Sequence, residues 1–420
     1  GEEDFPVTGV SWYEAMAYAK FVGKELPTIY HWNFAKYGDS QVAGRFSNLA
    51  TDGLAPRGRF KGIGAFGVYD MIGNASEWVF NEIVDSNQRC IAGAAWGDPI
   101  YISFSRTELH PFNRPQKTGF RCVKYIEAIA DSTKGPVSLN NRQFNTKTEL
   151  TEEQFEVLVR VYDYDASKNL APRLVSEDAQ PKVPSFRQEI VEINAAYGGE
   201  RFEIHLLFPR NGRKVNDAVI WCPGTGAMGR SEFEPFVNTM DAAYVREFVN
   251  AGYVAVVPIL KGMYKRRDID KQGRYAQRDM RVQMVKDIRR SIDYLQTRND
   301  ISMDTLTYSG LSYGAFMGVY VLTVEDRFKA GLLYGGGCIG GSPLPEVDPA
   351  VAAPFVTTPT LMVNGLYDPI FPHELSQKPL YDALGANEKQ IEIFESGHCP
   401  TPRLAIEFSK KWLRDKYQQQ

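Results

Sequence analysis

The pattern of hydrophobic and polar positions changes between the first and second parts of the chain. Up to about residue 125 the sequence is rich in glycine and aromatic residues and has few long apolar runs. After about residue 185, short apolar runs typical of strands alternate with amphipathic segments typical of helices. The change predicts two domains, residues 1–126 and 184–420, with residues 127–183 as a connector packed on the second domain.

The second domain is predicted to contain a sheet of mainly parallel strands. It begins with a hairpin over 189–194 and 202–208, turned by Tyr197-Gly198-Gly199. The later predicted strands are Ala218–Cys222, Val254–Leu260, Thr305–Tyr308, Ala330–Tyr334, Thr360–Asn364 and Gln390–Phe394, and helices are predicted near 231–250, 279–297, 374–384 and 402–417 and from Tyr313 onward. The alternation predicts the α/β class, with a doubly wound, mostly parallel sheet whose parallel strands end on one edge.

Composition narrows the classes of function. A chain of 420 residues exceeds one ordinary core, and 43% hydrophobic with 24% charged residues is typical of a folded globular protein. The net charge of −3 provides no global attraction for nucleic acid, and no apolar run reaches the ~18 residues that span a bilayer. The five scattered cysteines argue against a zinc site and a disulfide framework, and favour a reducing compartment. We therefore expect no nucleic-acid partner and no membrane insertion.

A nucleophile motif lies where a predicted strand meets a predicted helix. Residues 310–314 read Gly-Leu-Ser-Tyr-Gly, the G-x-S-x-G pattern of a sharp strand-to-helix turn. Glycine is needed at both ends because a side chain there would strike the strand and the helix that the turn joins. The turn would expose the hydroxyl of Ser312, so we predict that Ser312 is a nucleophile.

A serine nucleophile needs a base, and the base needs a carboxylate that orients it. Asp368 follows the predicted strand over 360–364 and His398 follows the last predicted strand, so both belong to the same edge of the sheet as Ser312. We predict a triad of Ser312, Asp368 and His398. The alternatives are that His373 is the base, that Asp368 only caps a helix, and that Cys399 is a reactive thiol.

Backbone amides are the expected donors to the oxyanion that forms during attack. The amide of Tyr313 opens the helix behind the nucleophile. The loop after the strand Ala218–Cys222 is rich in glycine, and there we select Thr225 and Gly226 as the second source of a donor.

Residues 261–281 form a basic segment that follows a predicted strand and would overhang the same edge. It carries eight basic residues against three aspartates. One interpretation is a lid that selects an anionic or polar substrate. Its rim residues would be Tyr264, Arg266, Arg267 and Tyr275. The alternative is a solvated insertion.

Residues 310–315, 359–368 and 396–398 resemble the α/β-hydrolase superfamily, in particular its dienelactone hydrolase, acetyl xylan esterase and prolyl oligopeptidase branches. The resemblance implies hydrolysis through an acyl-serine, with no cofactor for catalysis. Peptidases of this kind carry a propeller of repeats. This chain has no such repeats, so we expect an ester rather than a short peptide as substrate.

Residues 6–15, 67–79 and 119–123 resemble the sulfatase-modifying-factor domain, the fold of formylglycine-generating enzymes. The resemblance implies a smaller, irregular α+β domain of which the first part is missing. Oxidising members carry a cysteine pair after a segment that matches 93–96. Residues 97–113 contain no cysteine, so we expect no such oxidation.

The same resemblance implies a calcium site at the Gly-Asn-x-x-Glu turn. The residues that map onto its ligands are Asp70, Gly73, Ala75 and Glu77. Oxygen ligands suit calcium. The alternative is that Asn74 and Glu77 satisfy a buried turn.

These expectations lead to a serine hydrolase that cleaves a carboxylic ester, with the first domain as a recognition or scaffold module. The alternatives are a peptidase or amidase, a catalytically silent binding or signalling module, and a metal-dependent oxidase in the first domain. Similar domain pairs follow serine/threonine protein kinases. The resemblance therefore also implies a larger bacterial polypeptide with a kinase domain. The sparse cysteines slightly favour the bacterial cytoplasm.

Overall fold

The computed structural model describes residues 2–36, 46–49, 51–84, 86–98, 106–137, 150–177, 186–237, 239–269, 273–338, 343–368 and 370–417. The chain divides into two compact units, Gly1–Asn141 and Arg142–Gln420. No helix within these ranges combines the length and the apolar content that crossing a membrane requires.

The first unit is a small α+β domain. Its described helices are α1 (Trp12–Phe21) and α2 (Ile29–Ala35), and its described strands are β1 (Ser76–Glu82), β2 (Arg89–Ala92), β3 (Arg106–Leu109) and β4 (Thr118–Phe120). The strands form a sheet in the order β3-β2-β1-β4, in which only the β1–β4 pair is parallel. The Ser11 hydroxyl oxygen accepts a hydrogen bond from the Glu14 amide, and the Glu14 carboxylate accepts one from the Ser11 amide. This capping box fixes where α1 begins.

The connector does not pack on the second unit as a whole, which corrects the predicted boundary. Val137 is buried in the core of the first unit, and its amide donates to Glu82. The side chain of Asn81 donates to the carbonyl groups of Thr133 and Gly135. This part of the connector therefore completes the first unit, because it satisfies polar groups at the end of β1.

The later part of the connector packs on the second unit. The helix α3 (Glu152–Val159) begins at Thr151 with a capping box, and Phe155 stacks on Phe355 with 3.8 Å between ring centroids. The strand β5 (Arg173–Glu177) then joins the edge of the large sheet by pairing with the first strand of the hairpin. The predicted break at 179–184 lies outside the described residues.

The second unit is built on one large sheet. Its other strands are β6 (Phe186–Asn194), β7 (Arg201–Pro209), β8 (Ala218–Cys222), β9 (Val254–Pro258), β10 (Thr307–Leu311), β11 (Ala330–Tyr334), β12 (Thr360–Gly365) and β13 (Lys389–Phe394). The described order is β13-β12-β11-β10-β8-β9-β7-β6-β5, parallel from β13 to β9 and antiparallel beyond. The α/β class and the mostly parallel sheet are confirmed.

Most of the remaining helices of the second unit connect successive parallel strands, and the last one follows β13. They are α4 (Met240–Asn250), α5 (Gly273–Leu295), α6 (Tyr313–Val324), the single turn α7 (Pro349–Ala352), α8 (Lys378–Ala383) and α9 (Pro402–Tyr417). The predicted helix over 231–250 begins only at Met240, because the Thr239 side chain accepts from the Ala242 amide and caps the helix there.

The strand that precedes the nucleophile differs from its prediction at both ends. It runs over Thr307–Leu311, where we predicted Thr305–Tyr308. Ser309 and Gly310 interrupt the apolar run by which a buried strand is recognised in the sequence. Both residues are nevertheless buried and pair with β11 and β8. The strand therefore ends directly before Ser312.

Candidate active site

Ser312 occupies a strained turn between β10 and α6. Its backbone φ is 54°, in the left-handed region that residues other than glycine rarely adopt. Two backbone hydrogen bonds hold the turn. The Ser312 amide donates to the carbonyl of Tyr334 at 2.8 Å, and the Ser312 carbonyl accepts from the amide of Phe316 at 2.9 Å. The strain is thus maintained by the strand on one side and the helix on the other.

The two glycines of the motif are sterically required. A Cβ at Gly310 would lie 2.4 Å from the backbone of Gly314, and a Cβ at Gly314 would lie 2.0 Å from the carbonyl oxygen of Cys222. The hydroxyl of Tyr308 also donates to the Gly314 carbonyl at 2.6 Å. The helix can approach the sheet this closely only because both positions lack a side chain.

The structure brings together the three side chains that the sequence selected. Ser312 Oγ lies 2.8 Å from His398 Nε2, and His398 Nδ1 lies 2.7 Å from Asp368 Oδ2. His398 and Asp368 are buried, whereas Ser312 is half-buried and accessible from one side. The hydroxyl can therefore donate to an imidazole whose other nitrogen donates to a carboxylate.

The backbone after β12 fixes the carboxylate of Asp368. Its Oδ1 accepts from the amides of Ile370 at 2.8 Å and Phe371 at 3.0 Å, which leaves Oδ2 for the histidine. Gln377 secures the same loop, because its side chain donates to the carbonyl groups of Gly365 and Phe371. The predicted alternative in which Asp368 only caps a helix does not account for its bond to His398.

His373, the alternative base, and Cys399, the alternative reactive thiol, have environments that do not suit these roles. His373 Nδ1 lies 3.2 Å from the side-chain oxygen of Gln377, at the start of the turn that precedes α8. Burial raises the pKa of the Cys399 thiol well above its usual range, and the charges of Asp368 and Asp241 act in the same direction. A thiol that resists ionisation is a poor nucleophile.

The predicted oxyanion donors lie at the two loops that flank Ser312. Tyr313 is the first residue of α6, where a helix amide has no partner within the helix. Thr225 and Gly226 are exposed at the start of a single 3₁₀ turn, Thr225–Gly229. A Cβ at Gly224 would lie 3.7 Å from Ser312 Cβ, so this loop borders the nucleophile. The donor roles of Tyr313, Thr225 and Gly226 remain predictions.

Asp241 is a residue near the site that the sequence analysis missed. It is buried, and its Oδ1 accepts from the amide of Gly224 at 3.0 Å. In the sequence it resembles an ordinary acidic residue in the first turn of a helix, and no local pattern connects it to a glycine loop seventeen positions earlier.

The basic segment is held by carboxylates, which corrects the expectation that Arg266 contacts an anionic substrate. Arg266 is mostly buried and pairs with Asp287 at 2.6 Å and with Glu200 at 3.0 Å. Tyr264 is also buried and packs edge-on against Phe233, so it is not an exposed rim residue. Residues 270–272 lie outside the described residues.

Two members of the predicted rim do reach the surface. Tyr275 is 68% exposed, and the side chain of Arg267 is 34% exposed. Their contact with a substrate remains a prediction.

Replacing Asp287 with alanine is expected to destabilise the second unit by about 3–5 kcal/mol, the usual cost of removing one partner of a buried ion pair. Asp287 is fully buried and also accepts from the Lys261 amide and the Tyr197 hydroxyl. Its loss leaves the mostly buried guanidinium of Arg266 with Glu200 as its remaining carboxylate partner among the described residues. Urea unfolding measures the effect. Asp268→Asn, at an exposed pair in the same segment, should change the free energy of unfolding by less than about 1 kcal/mol. Equal effects of the two substitutions would contradict this assignment.

The turn that maps onto a calcium site does not fit the ion. The carboxylate of Glu77 accepts two hydrogen bonds from Arg121, each at 2.6 Å, and one from Trp32 Nε1 at 2.7 Å. The side chain of Asn74 is bonded to Ala55 and Asn48. Across the described part of the chain, no group of three or more His, Cys, Asp or Glu side chains could hold a metal. The alternative of a satisfied buried turn agrees with these contacts.

Asp70, the remaining carboxylate of the calcium hypothesis, is not arranged for a cation either. Its Oδ2 accepts from the amide of Gly58 at 2.8 Å, and burial raises its pKa. Gly73 has a φ of 87°, and a Cβ there would lie 2.6 Å from the Asn48 carbonyl oxygen. The shape of this turn is thus explained by backbone packing.

Removing calcium is therefore expected to leave the stability of the first unit unchanged. A metal that binds the folded state raises the melting temperature, and a chelator reverses that rise. Calorimetry with excess EDTA and with millimolar calcium should give the same melting temperature. A melting temperature that rises with calcium and falls again with EDTA would support a calcium site in the first unit.

Two family models match separate parts of the chain. Residues 1–126 match the sulfatase-modifying factor enzyme 1-like domain, and residues 237–400 match the dienelactone hydrolase family. The two matches lie in the two different compact units.

Curated relatives match part of this chain over part of their own length. The chain is 32% identical over 151 residues to an inactive C-alpha-formylglycine-generating enzyme 2 of Bos taurus, which covers 29% of this chain and 50% of the relative. It is 35% identical over 91 residues to the serine/threonine-protein kinase pkn1 of Chlamydia caviae, which covers 19% of this chain and 14% of the kinase. The chain thus spans half of the first relative and a small part of the kinase.

A solved esterase structure matches more than half of the chain. Acetyl xylan esterase 1 from a Thermoanaerobacterium species superposes with a TM-score of 0.50 at 14% identity, over 63% of this chain and 94% of the esterase. At this identity the similarity shows the fold alone, and that fold is the α/β hydrolase. The chain therefore combines an N-terminal part that matches the sulfatase-modifying factor enzyme 1-like domain with a C-terminal part that matches the dienelactone hydrolase family.

Proposed function

We propose that the second unit is a serine hydrolase that cleaves a carboxylic ester through an acyl-Ser312 intermediate. The observation that carries the proposal is the continuous hydrogen-bond chain from Ser312 through His398 to Asp368. Each member has the environment its role needs: an accessible hydroxyl, a buried imidazole and a carboxylate fixed by backbone amides.

The geometry supports two steps of acyl transfer. In the first, His398 Nε2 accepts the proton of Ser312 as Oγ bonds to the ester carbon, and Asp368 stabilises the imidazolium. The tetrahedral oxyanion is met by the amide of Tyr313 and by an amide at Thr225 or Gly226. The bond to the alcohol then breaks, and the alcohol leaves with the proton from His398. In the second step, water attacks the acyl-enzyme in the same way and the carboxylic acid is released.

The comparisons with known proteins favour an ester over a large peptide as the substrate. The match to the dienelactone hydrolase family and the shared fold with an acetyl xylan esterase support small acyl esters. Residues 1–126 match a sulfatase-modifying factor enzyme 1-like domain, which is not a propeller. Specificity for short peptides would need some other device that limits access.

A matched pair of substrates tests the proposal. p-Nitrophenyl acetate and p-nitroacetanilide differ in the leaving atom, and we expect turnover of the ester with little or none of the anilide. A fluorophosphonate should label the protein once, and peptide mass spectrometry should place the label on Ser312. Comparable turnover of the anilide would favour the peptidase alternative. An inert protein that takes up no label would favour the catalytically silent module.

The first unit is proposed to act as a recognition or scaffold module for the hydrolase. The similarity of part of this chain to part of a chlamydial protein kinase supports a place in a signalling polypeptide. Fusing each unit separately to an affinity tag and comparing the proteins that each retains from a bacterial lysate tests this role. Retention by the second unit alone would contradict it.

A further inference from the structure

The first turn of α4 contacts the loop that precedes the proposed oxyanion site. Asp241 Oδ1 accepts from the backbone amide of Gly224 at 3.0 Å and from Trp221 Nε1 at 3.2 Å. Gly224 directly precedes the turn that carries Thr225 and Gly226. A buried carboxylate therefore fixes the point at which this loop leaves β8.

Gly224 lies beside the nucleophile. A Cβ placed on it would lie 3.5 Å from the Leu311 carbonyl oxygen and 3.7 Å from Ser312 Cβ. A small shift of this backbone changes the distance between the amides at 225–226 and the carbon that Ser312 attacks. Because donors to an oxyanion act over a narrow range of distance, such a shift lowers the rate of reaction.

The same turn of α4 also contacts the loop that carries the histidine. Tyr244 lies three residues after Asp241, on the same side of the helix, and stacks on Trp221 with 5.5 Å between ring centroids. Its hydroxyl donates to the carbonyl of Pro400 at 3.0 Å, two residues after His398. One helical turn is thus bonded to both loops that border Ser312.

We propose that Asp241 is a positioning residue, which holds the Gly224 amide so that the loop after β8 presents its donors to the oxyanion. The proposal rests on the proposed function for its effect on the rate. Its structural part, the fixed loop, can be measured without any substrate.

Burial and the neighbouring groups have opposite effects on the ionisation of Asp241. Burial raises the pKa of Asp241 to about 6, although the N–H groups of Gly224 and Trp221 and the charge of Arg230 oppose the rise. Tyr264, Cys222 and Cys399 also face the carboxylate, and the pKa of each is raised, mainly by burial. At pH 8 the carboxylate is ionised and both of its hydrogen bonds are charge-assisted. Experiments at pH 8 therefore examine the protein with Asp241 in its ionised state.

Two substitutions at this position separate positioning from simple packing. Asp241→Asn keeps an oxygen that accepts from Gly224, whereas Asp241→Ala removes it. We expect Asp241→Ala to lower kcat for p-nitrophenyl acetate by about 10- to 100-fold with little change in KM, because the loop acts mainly in the transition state. Asp241→Asn should restore most of the loss. Glu247→Ala, an acidic position further along α4, is the matched control and should leave kcat unchanged.

Hydrogen exchange of the peptide that covers residues 223–229 gives the readout that is independent of turnover. It should accelerate in Asp241→Ala and remain near wild type in Asp241→Asn and Glu247→Ala. Unchanged exchange in Asp241→Ala, or a loss of kcat that Asp241→Asn shares in full, would overturn the proposal. A wild-type protein that is inert toward the ester and the fluorophosphonate would overturn the proposed function instead, and exchange would still decide whether Asp241 holds the loop.

Discussion

Ser312→Ala is expected to lower kcat/KM for p-nitrophenyl acetate by roughly four to six orders of magnitude, the range typical of nucleophile removal. The substitution removes the atom that forms the acyl-enzyme and leaves His398 with no hydroxyl to deprotonate. The fold should be unaffected, because the turn is held by backbone hydrogen bonds and not by the serine side chain. Initial rates and fluorophosphonate labelling measure the effect.

Ser309→Ala is the matched control for this experiment. Ser309 lies on β10, the strand that ends directly before Ser312, and it is completely buried, so the control makes the same chemical change away from the proposed site. We expect the control to keep its labelling and most of its activity. Hydrolysis by Ser312→Ala at a rate near that of Ser309→Ala would remove Ser312 from the mechanism.

Gly314→Ala is expected to prevent the second unit from folding, or to lower its melting temperature by more than about 10 °C, since each kcal/mol shifts the midpoint of a domain this size by about 2–4 °C. The added Cβ would lie 2.0 Å from the Cys222 carbonyl oxygen and 2.7 Å from its carbon. Both atoms belong to the backbone of a central strand, so neither can move aside without disrupting the pairing of β8 with β10. Circular dichroism during heating measures the change.

Gly229→Ala makes the corresponding change where space is available. Its Cβ would meet no heavy atom within 4 Å, and the residue is exposed. The melting temperature should therefore remain within a few degrees of wild type. A folded, stable Gly314→Ala protein would show that the elbow tolerates a side chain.

The sequence predicted the sheet, and the proximity of Ser312, Asp368 and His398, because both depend on local patterns. Alternating apolar runs identified the strands, and the rule that parallel strands end on one edge brought Asp368 and His398 to Ser312. The glycines of the motif were informative for a steric reason, which the close approach of Gly314 to Cys222 makes explicit. Errors at the ends of β10 and α4 arose where polar residues interrupt a buried strand and where a threonine cap overrides an apolar pattern.

The sequence failed where a residue's role depends on a distant partner. Arg266 belongs to a basic segment whose composition is typical of an exposed lid, but Asp287 and Glu200 form ion pairs with it. Glu77 has the spacing of a calcium ligand, but Arg121 and Trp32 occupy its oxygens. Asp241 carries no signal because its partner, Gly224, lies on another element. Such pairings become visible only when the fold places the partners side by side.

The division of the connector has a practical consequence for work on the separate units. The family match of the first unit ends at residue 126, yet Val137 fills part of its core and residues 133 and 135 bond to Asn81. A polypeptide cut at residue 126 would expose a hydrophobic site and leave the amide of Asn81 unsatisfied. Expression of this unit by itself should therefore extend to residue 141, where the compact unit ends. Poor behaviour of a shorter fragment would then reflect the choice of its terminus and not an inability of the unit to fold independently.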